Sequence, residues 1–255
     1  MRRGIMCHNH DYPILHYLYF GGAPVSVICS RFFSTGTGKQ VTHWRRMWRR
    51  LTKMVEARLI KCAINHRTAE TILFLDIKGA ELVCDVYSLE IENAWIHTGR
   101  PRDFHHDLTT ASLARRVIFE SETTTYSVLT LEFEHYLKRV QGRKGGSTKG
   151  LGYPDFRVST KNVGDQPRTI DVERDCATIG RQAFERKIQG ATYPLLIVFD
   201  KPKRGAWLYT QAVNMGTTRR IYLTEYKTLP NNIFSPAICW HPPHCDPMAI
   251  TIWNQ

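Results

Sequence analysis

Residues 154–213 alternate short strand-like runs with one helical segment, and this order restricts the folds open to the chain. The turn-forming sequence 162–167 separates the first two strands, and the helix precedes two more strands. The predicted strands cover residues 154–160, 168–173, 193–200 and 206–213, and the predicted helix runs from Ala177 to Gln189. This order predicts an α/β fold in which helices flank a mixed sheet.

The segment before these strands predicts another helix. Over residues 127–140, apolar side chains recur at helical spacing, at Leu129, Phe133, Tyr136 and Val140. A basic, glycine-rich loop at 141–152 follows, and its composition predicts a hinge. From Pro230 onward the chain is rich in proline and has little periodicity, which indicates a C-terminal tail that wraps over the surface.

A basic amphipathic helix is predicted nearer the N-terminus, from Thr42 to about His66. Its apolar stripe contains Trp44, Trp48, Leu51, Val55, Leu59 and Cys62, and its cationic face contains Arg45, Arg46, Arg49, Arg50 and Lys53. Because the chain carries a formal net charge of +12, nucleic acid is a fitting partner for this face. A docking helix with solvated charges explains the pattern equally well. The β-rich runs 70–79 and 80–91 after it predict a hairpin.

The first 33 residues have the composition of a mitochondrial import leader. No Asp or Glu occurs from Pro13 through Val55, and arginine and lysine are frequent there. The sequence Arg31-Phe32-Phe33-Ser34-Thr35 resembles a matrix-processing signal, with cleavage after Phe33. A secretory signal or an ordinary irregular N-terminus is the alternative. The prediction is a presequence at 1–33, a connector and basic helix at 34–66, and an α/β domain at 67–255, located in the mitochondrial matrix.

A membrane-spanning helix is not predicted. The longest uncharged stretch, 12–30, is interrupted by His16, Gly21, Gly22 and Pro24. The seven cysteines are scattered and odd in number, so no disulfide framework is predicted either.

Across residues 127–213, the order of elements and two short acidic motifs resemble the core of the PD-(D/E)XK nuclease superfamily. The motifs are Pro154-Asp155 and, further on, Asp171-Val172-Glu173. The resemblance implies a restriction-endonuclease-like mixed sheet in which Asp155, Asp171 and Glu173 bind Mg²⁺. The family's strand lysine is replaced by Glu173, so the resemblance implies that a lysine or arginine of the following helix, Lys187 or Arg181, stands in as a catalytic residue. Glu132 or Glu134 is the implied additional acid.

Two functions follow from these patterns and stay open. The first is a mitochondrial nucleic-acid-binding protein that acts as a Mg²⁺-dependent nuclease in organellar DNA or RNA processing. The second is a non-catalytic RNA-binding component of the mitochondrial ribosome or of another ribonucleoprotein. In both, the glycine-rich loop offers Arg143, Lys144 and Lys149 as phosphate contacts, although an ordinary solvated linker has the same composition.

Two further motifs are weaker. Asp76 ends a hydrophobic run, as in the metal-binding motif of reverse transcriptases, or in the first strand of RNase H-like nucleases with Asp200 as a later acid. Near the C-terminus, Cys239, His241, His244 and Cys245 are all zinc-ligand types, but structural zinc sites join two separated ligand pairs, so zinc is not expected there.

Overall fold

The computed structural model describes residues 11–33, 40–96, 104–143, 152–177, 179–216, 220–242 and 246–254. The chain divides into an N-terminal unit, Met1–Ser112, and a C-terminal unit, Leu113–Gln255. The boundary falls within one helix, α5 (Phe104–Ser121).

The N-terminal unit contains a three-stranded antiparallel sheet in the order β1-β3-β2, with helices packed around it. In chain order its elements are α1 (Asp11–Tyr19), β1 (Ala23–Pro24), α2 (Val25–Phe32), α3 (Gln40–Glu56), β2 (Ile60–Asn65), β3 (Glu70–Leu75), α4 (Ile77–Tyr87) and the first part of α5. α1 packs on α4 and β3, and α3 packs on β2.

Residues 11–33, the described part of the predicted leader, contribute to the core of this unit. Ile14, Leu15, Leu18 and Ile28 are each at most 1% exposed. Ala23 and Pro24 pair with Leu73 and Ile72 of β3. The predicted processing point after Phe33 follows the last residue of α2. Cleavage there stays a prediction, but it would remove two helices and a strand from the unit.

Two sequence predictions for this unit are wrong. The helix predicted from Thr42 to His66 ends at Glu56, because Arg58 adopts a left-handed conformation with φ of 59° and residues 60–65 pair with β3. The predicted second strand of the hairpin, 80–91, is mainly α4. Asp76 begins this helix by accepting a hydrogen bond from the N–H of Ile77.

The C-terminal unit contains a five-stranded sheet in the order β4-β5-β6-β7-β8. β5 is antiparallel to both of its neighbours, β4 and β6, whereas β6, β7 and β8 run parallel. The elements are β4 (Tyr126–Phe133), α6 (Glu134–Arg143), β5 (Phe156–Asn162), β6 (Arg168–Asp175), α7 (Arg181–Gly190), β7 (Leu195–Phe199), α8 (Pro202–Asn214), β8 (Ile221–Glu225), β9 (Ala237–Cys239) and β10 (Met248–Ile250). The predicted mixed sheet flanked by helices is confirmed.

Three predicted elements in this unit are wrong or displaced. The helix predicted at 127–140 is β4 followed by α6. The strand predicted at 206–213 lies in α8, where Gly205, Leu208 and Ala212 are buried at helical spacing. The helix predicted from Ala177 begins instead at Arg181.

The hydrophobic core of this unit lies between the sheet and the helices α7 and α8. It contains Phe184, Ile188, Leu195, Ile197, Phe199, Leu208, Ala212, Ile221 and Leu223. The C-terminal tail is more than a surface wrap, because Phe234 and Trp253 are buried and the Trp253 indole N–H donates a hydrogen bond of 2.6 Å to the carbonyl of Ile233. Among the residues described, none of the helices has the length and apolar character needed to cross a membrane.

Candidate active site

β6 carries three acidic residues on one face. Side chains alternate along a strand, so Asp171, Glu173 and Asp175 face the same side of the sheet and Arg174 faces the other. Glu173 pairs in register with Ile197, which belongs to the core beneath α7 and α8. All three acids are at most 2% exposed. Buried carboxylates are costly unless they are paired, so each of them requires a partner.

A different element supplies a cation to each acid. Arg157 of β5 donates to Asp171 at 2.7 Å, and Arg204 of α8 donates to Asp175 at 2.5 Å. Lys187 of α7 forms an ion pair with both carboxylate oxygens of Glu173. The acids of β6 therefore hold α7, α8 and β5 in place around the strand.

A fourth carboxylate, that of Asp155, lies near Glu173 and Lys187. Phe156 pairs with Val172, so the residue just before β5 lies beside the end of β6. The N–H of Arg174 donates a hydrogen bond of 2.6 Å to Oδ2 of Asp155, and Nζ of Lys187 lies 3.9 Å from Oδ1. Asp155 is 8% exposed. Two nearly buried carboxylates thus share one ammonium group.

The charge on Lys187 is strongly favoured. Burial alone lowers the pKa of this lysine, but the negative charges of Glu173 and Asp155 outweigh burial, so the pKa lies above its ordinary value. Glu134, the first residue of α6, raises it further. Lys187 is therefore protonated at neutral pH. Two carboxylates therefore face the same ammonium group.

The backbone fixes the distance between Lys187 and Asp155. A β-carbon on Gly152 would lie 2.6 Å from both the α-carbon and the amide nitrogen of Lys187. A β-carbon on Gly190 would lie 2.5 Å from the carbonyl oxygen of Gly152. These two glycines let the segment leading to Asp155 lie directly against α7.

The predicted site residues divide into two groups. Asp155, Glu173 and Lys187 come together, whereas Asp171 is bound by Arg157 and by the N–H of Thr192 at 3.2 Å. Of the two basic residues proposed for the lysine position, Lys187 reaches the carboxylates, and Arg181 pairs with Glu185 within α7. Of the two candidate additional acids, Glu134 helps to raise the pKa of Lys187, and Glu132 helps to raise the pKa of Arg157.

The sequence interpretation missed Asp175, Arg157 and Arg204. The signal for Asp175 was available, because it continues the alternation of Asp171 and Glu173 along one strand. No comparable signal marks the two arginines, since their pairing depends on how β5 and α8 pack against β6.

The predicted nucleic-acid-binding residues lie mostly on α3. Arg45, Arg46, Arg49 and Lys53 are exposed, but Arg50 is bound by Asp11. Arg143 is the last residue of α6; its side chain, together with Lys144 and Lys149, lies outside the described residues.

The weaker motifs have other roles in the structure. Asp76 begins α4, and Asp200 pairs with Arg174. Cys239 is buried in β9, and burial raises the pKa of its thiol to about 12. Nδ1 of His241 lies 2.8 Å from the carbonyl oxygen of Ile221. His244 and Cys245 lie outside the described residues.

Comparison with known proteins finds no relative: no family model, no curated protein and no solved structure matches this chain. Carboxylate oxygens are the protein ligands that Mg²⁺ prefers, and Asp155 and Glu173 face the same ammonium group, so these two residues fit a divalent cation of this kind.

Proposed function

We propose that the chain is a Mg²⁺-dependent nuclease of PD-(D/E)XK type, in which Asp155 and Glu173 bind the metal and Lys187 is the catalytic lysine. One observation carries the proposal: a lysine from the helix after β6 reaches one carboxylate just before β5 and a second within β6. The sheet also supports a restriction-endonuclease-like fold, because an antiparallel β4-β5-β6 meander is followed by a helical crossover to a parallel strand.

The residues of this chain would divide the work between them. A bound Mg²⁺ would activate water and neutralise charge on the phosphate. Lys187, which holds its proton firmly, would place a positive charge beside a phosphate oxygen where negative charge develops. The N–H of Arg174 orients Asp155. Asp171 supports the site from its ion pair with Arg157 rather than as a metal ligand.

The lysine position departs from the family's pattern. If Glu173 is the acid of the acid-x-Lys pair, the lysine position falls on Asp175, which is bound by Arg204. Lys187 supplies the missing ammonium group from α7 instead. The site would keep a positive charge beside Asp155 and Glu173, although the ammonium group comes from α7 and not from the strand.

A non-catalytic role is the second candidate. Each acid of β6 has a cation partner, and a set of structural ion pairs would show the same pattern. In that case the chain would bind nucleic acid without cutting it, as a component of the mitochondrial ribosome or another ribonucleoprotein would. The mitochondrial matrix location stays a prediction under either function, because it rests only on the N-terminal sequence.

A cleavage assay decides between the two. The full chain is incubated with labelled single- and double-stranded DNA and RNA, in Mg²⁺ or in EDTA, beside Asp155→Asn and Glu173→Gln. These amides keep the shape of each side chain and can still accept hydrogen bonds. Asp165→Asn is the matched control, since Asp165 is exposed in the turn after β5. We expect Mg²⁺-dependent cutting by wild type and the control, with a loss of at least about 100-fold in the other two. Absence of cutting by wild type on every substrate would overturn the proposal.

A further inference from the structure

The exposed face of α3 is a strongly cationic surface in the N-terminal unit. Met47, Leu51 and Met54 are buried at three- and four-residue steps, so the opposite face of the helix points outward. Arg45, Arg46, Arg49 and Lys53 are exposed on α3, and no acidic residue occurs on this helix before Glu56. The surface therefore attracts a polyanion.

The helix is held firmly while it presents these charges. Arg50 forms an ion pair with Asp11 of α1, and α3 packs against β2. The turn between β2 and β3 adds exposed His66 and Arg67, and its shape is fixed by a 3.1 Å hydrogen bond from the N–H of Arg67 to Oδ1 of Asn65. A helix whose opposite face is already packed loses little conformational entropy when it binds.

Two tryptophans lie at one edge of the cationic face, on the side toward the buried residues of α3. Trp44 is 43% exposed, and its ring meets that of Trp48 edge-on, with centroids 5.8 Å apart. Charged residues alone would bind any phosphate backbone without distinguishing bases. Indole rings beside arginines can also contact the edges of bases, including the methyl group of thymine.

We propose that α3 enters the major groove of double-stranded DNA, with the β2–β3 turn contacting the adjacent backbone. The major groove of B-form DNA is about 12 Å wide and accepts an α-helix, and helix-turn-helix proteins read DNA in this way. The major groove of A-form RNA is too narrow for side chains to read, which disfavours duplex RNA. Binders of single strands use aromatic platforms within a groove, whereas these tryptophans lie on the convex surface of a helix.

This inference does not depend on the site at β6. Binding is measured in EDTA by fluorescence anisotropy, with the full chain and a labelled mixed-sequence DNA duplex, one of its single strands, and the equivalent RNA duplex. No metal is bound at β6 in EDTA, and Asp165→Asn, in the exposed turn after β5, should bind as wild type does. A loss of cutting would therefore count against the nuclease proposal, and a loss of binding in EDTA would count against the proposal for α3.

The decisive variant is Arg45→Ala/Arg49→Ala. Removing two phosphate contacts should weaken duplex binding about tenfold or more and lower the slope of log K against log salt by about 2. Lys201→Ala/Lys203→Ala removes two exposed charges from the C-terminal unit and is the matched control, with a smaller effect expected on both quantities. Circular dichroism checks that both variants fold.

A chemical footprint tests the groove directly. Bound wild-type protein should protect guanine N7, which lies in the major groove, from dimethyl sulfate, and should leave adenine N3 in the minor groove reactive. Three results would each overturn the proposal: unchanged duplex binding in the α3 variant, equal or tighter binding of single-stranded DNA or duplex RNA, and protection confined to the minor groove.

Discussion

Arg50 of α3 binds Asp11 of α1 through two nitrogens of its guanidinium group, with Nε 2.7 Å from Oδ1. Asp11 is 1% exposed, so this ion pair is largely shielded from water. Arg50 stands among four exposed basic residues of α3, yet its side chain serves the fold. The sequence alone gives no sign of the difference, because Asp11 lies 39 residues away.

Arg50→Ala should destabilise the protein, whereas Arg49→Ala should not. Removal of Arg50 leaves Asp11 buried without its cation, and breaking such a pair costs about 3 kcal/mol. Arg49 is exposed, so its removal should change the free energy of unfolding by less than about 0.5 kcal/mol. Urea denaturation followed by circular dichroism measures both. Equal stability of the two variants would contradict the role assigned to Arg50.

Lys187→Met should make the protein's stability depend on Mg²⁺. Without the ammonium group, Asp155 and Glu173 lose the cation that they share, and the free energy of unfolding should fall by about 3–5 kcal/mol in EDTA. A divalent cation bound there would restore part of this loss. Thermal unfolding in EDTA and in Mg²⁺ measures the effect. A melting temperature equally insensitive to Mg²⁺ in the variant and the wild type would argue against a metal at these carboxylates.

Gly152→Ala should displace Lys187 relative to Asp155, although Gly152 itself has no side chain in the candidate site. The added methyl group would meet the backbone of Lys187, so α7 or the segment before Asp155 must move, at a cost of about 2 kcal/mol. We also expect any Mg²⁺-dependent cutting to fall with it. Gly142→Ala is the control, since a β-carbon at that position meets nothing within 4 Å among the described residues. Denaturation curves and the cleavage assay should separate the two variants.

Stability should fall in mild acid because of His16. Burial lowers the pKa of this histidine from 6.5 to about 4, and its ring stacks on Tyr87 at 4.1 Å. The unfolded chain takes up a proton below pH 6.5 while the folded chain does not, so this stabilisation is complete above pH 6.5 and is lost as the pH falls to about 4. Because the ring is only partly buried, we expect a loss of about 2 kcal/mol. His16→Gln should lack this part of the pH dependence in unfolding curves from pH 7 to 4.

A chain that begins at Ser34 should lose the fold of its N-terminal unit. It lacks α1, β1 and α2, including Ile14, Leu18 and Ile28 of the core. Limited proteolysis should cut residues 40–96 quickly in this shortened chain and slowly in the full one. Sequencing the N-terminus of protein from its natural source tests the processing prediction. A natural N-terminus at Ser34 on a protease-resistant protein would show that these helices are dispensable.

The sequence was most informative where local pattern and tertiary packing agree. Asp155, Asp171, Glu173 and Lys187 are the predicted site residues; Asp155 and Glu173 meet at Lys187, whereas Asp171 pairs with Arg157. The helix at 127–140 was wrong because strand pairing between β4 and β5 overrides an apolar spacing that also fits a helix. The apolar stripe predicted for α3 was misplaced, because Met47 and Met54 are buried while Trp44 is exposed.

The alternation of charge along β6 also limits how the chain can change in length. A slip of one residue against β5 and β7 would turn Arg174 toward α7 and carry all three acids to the opposite side. The turn at 163–167 can absorb an insertion by bulging outward, but a single deletion within 168–175 cannot be absorbed. Among homologous sequences, insertions and deletions should therefore occur in that turn and not within β6.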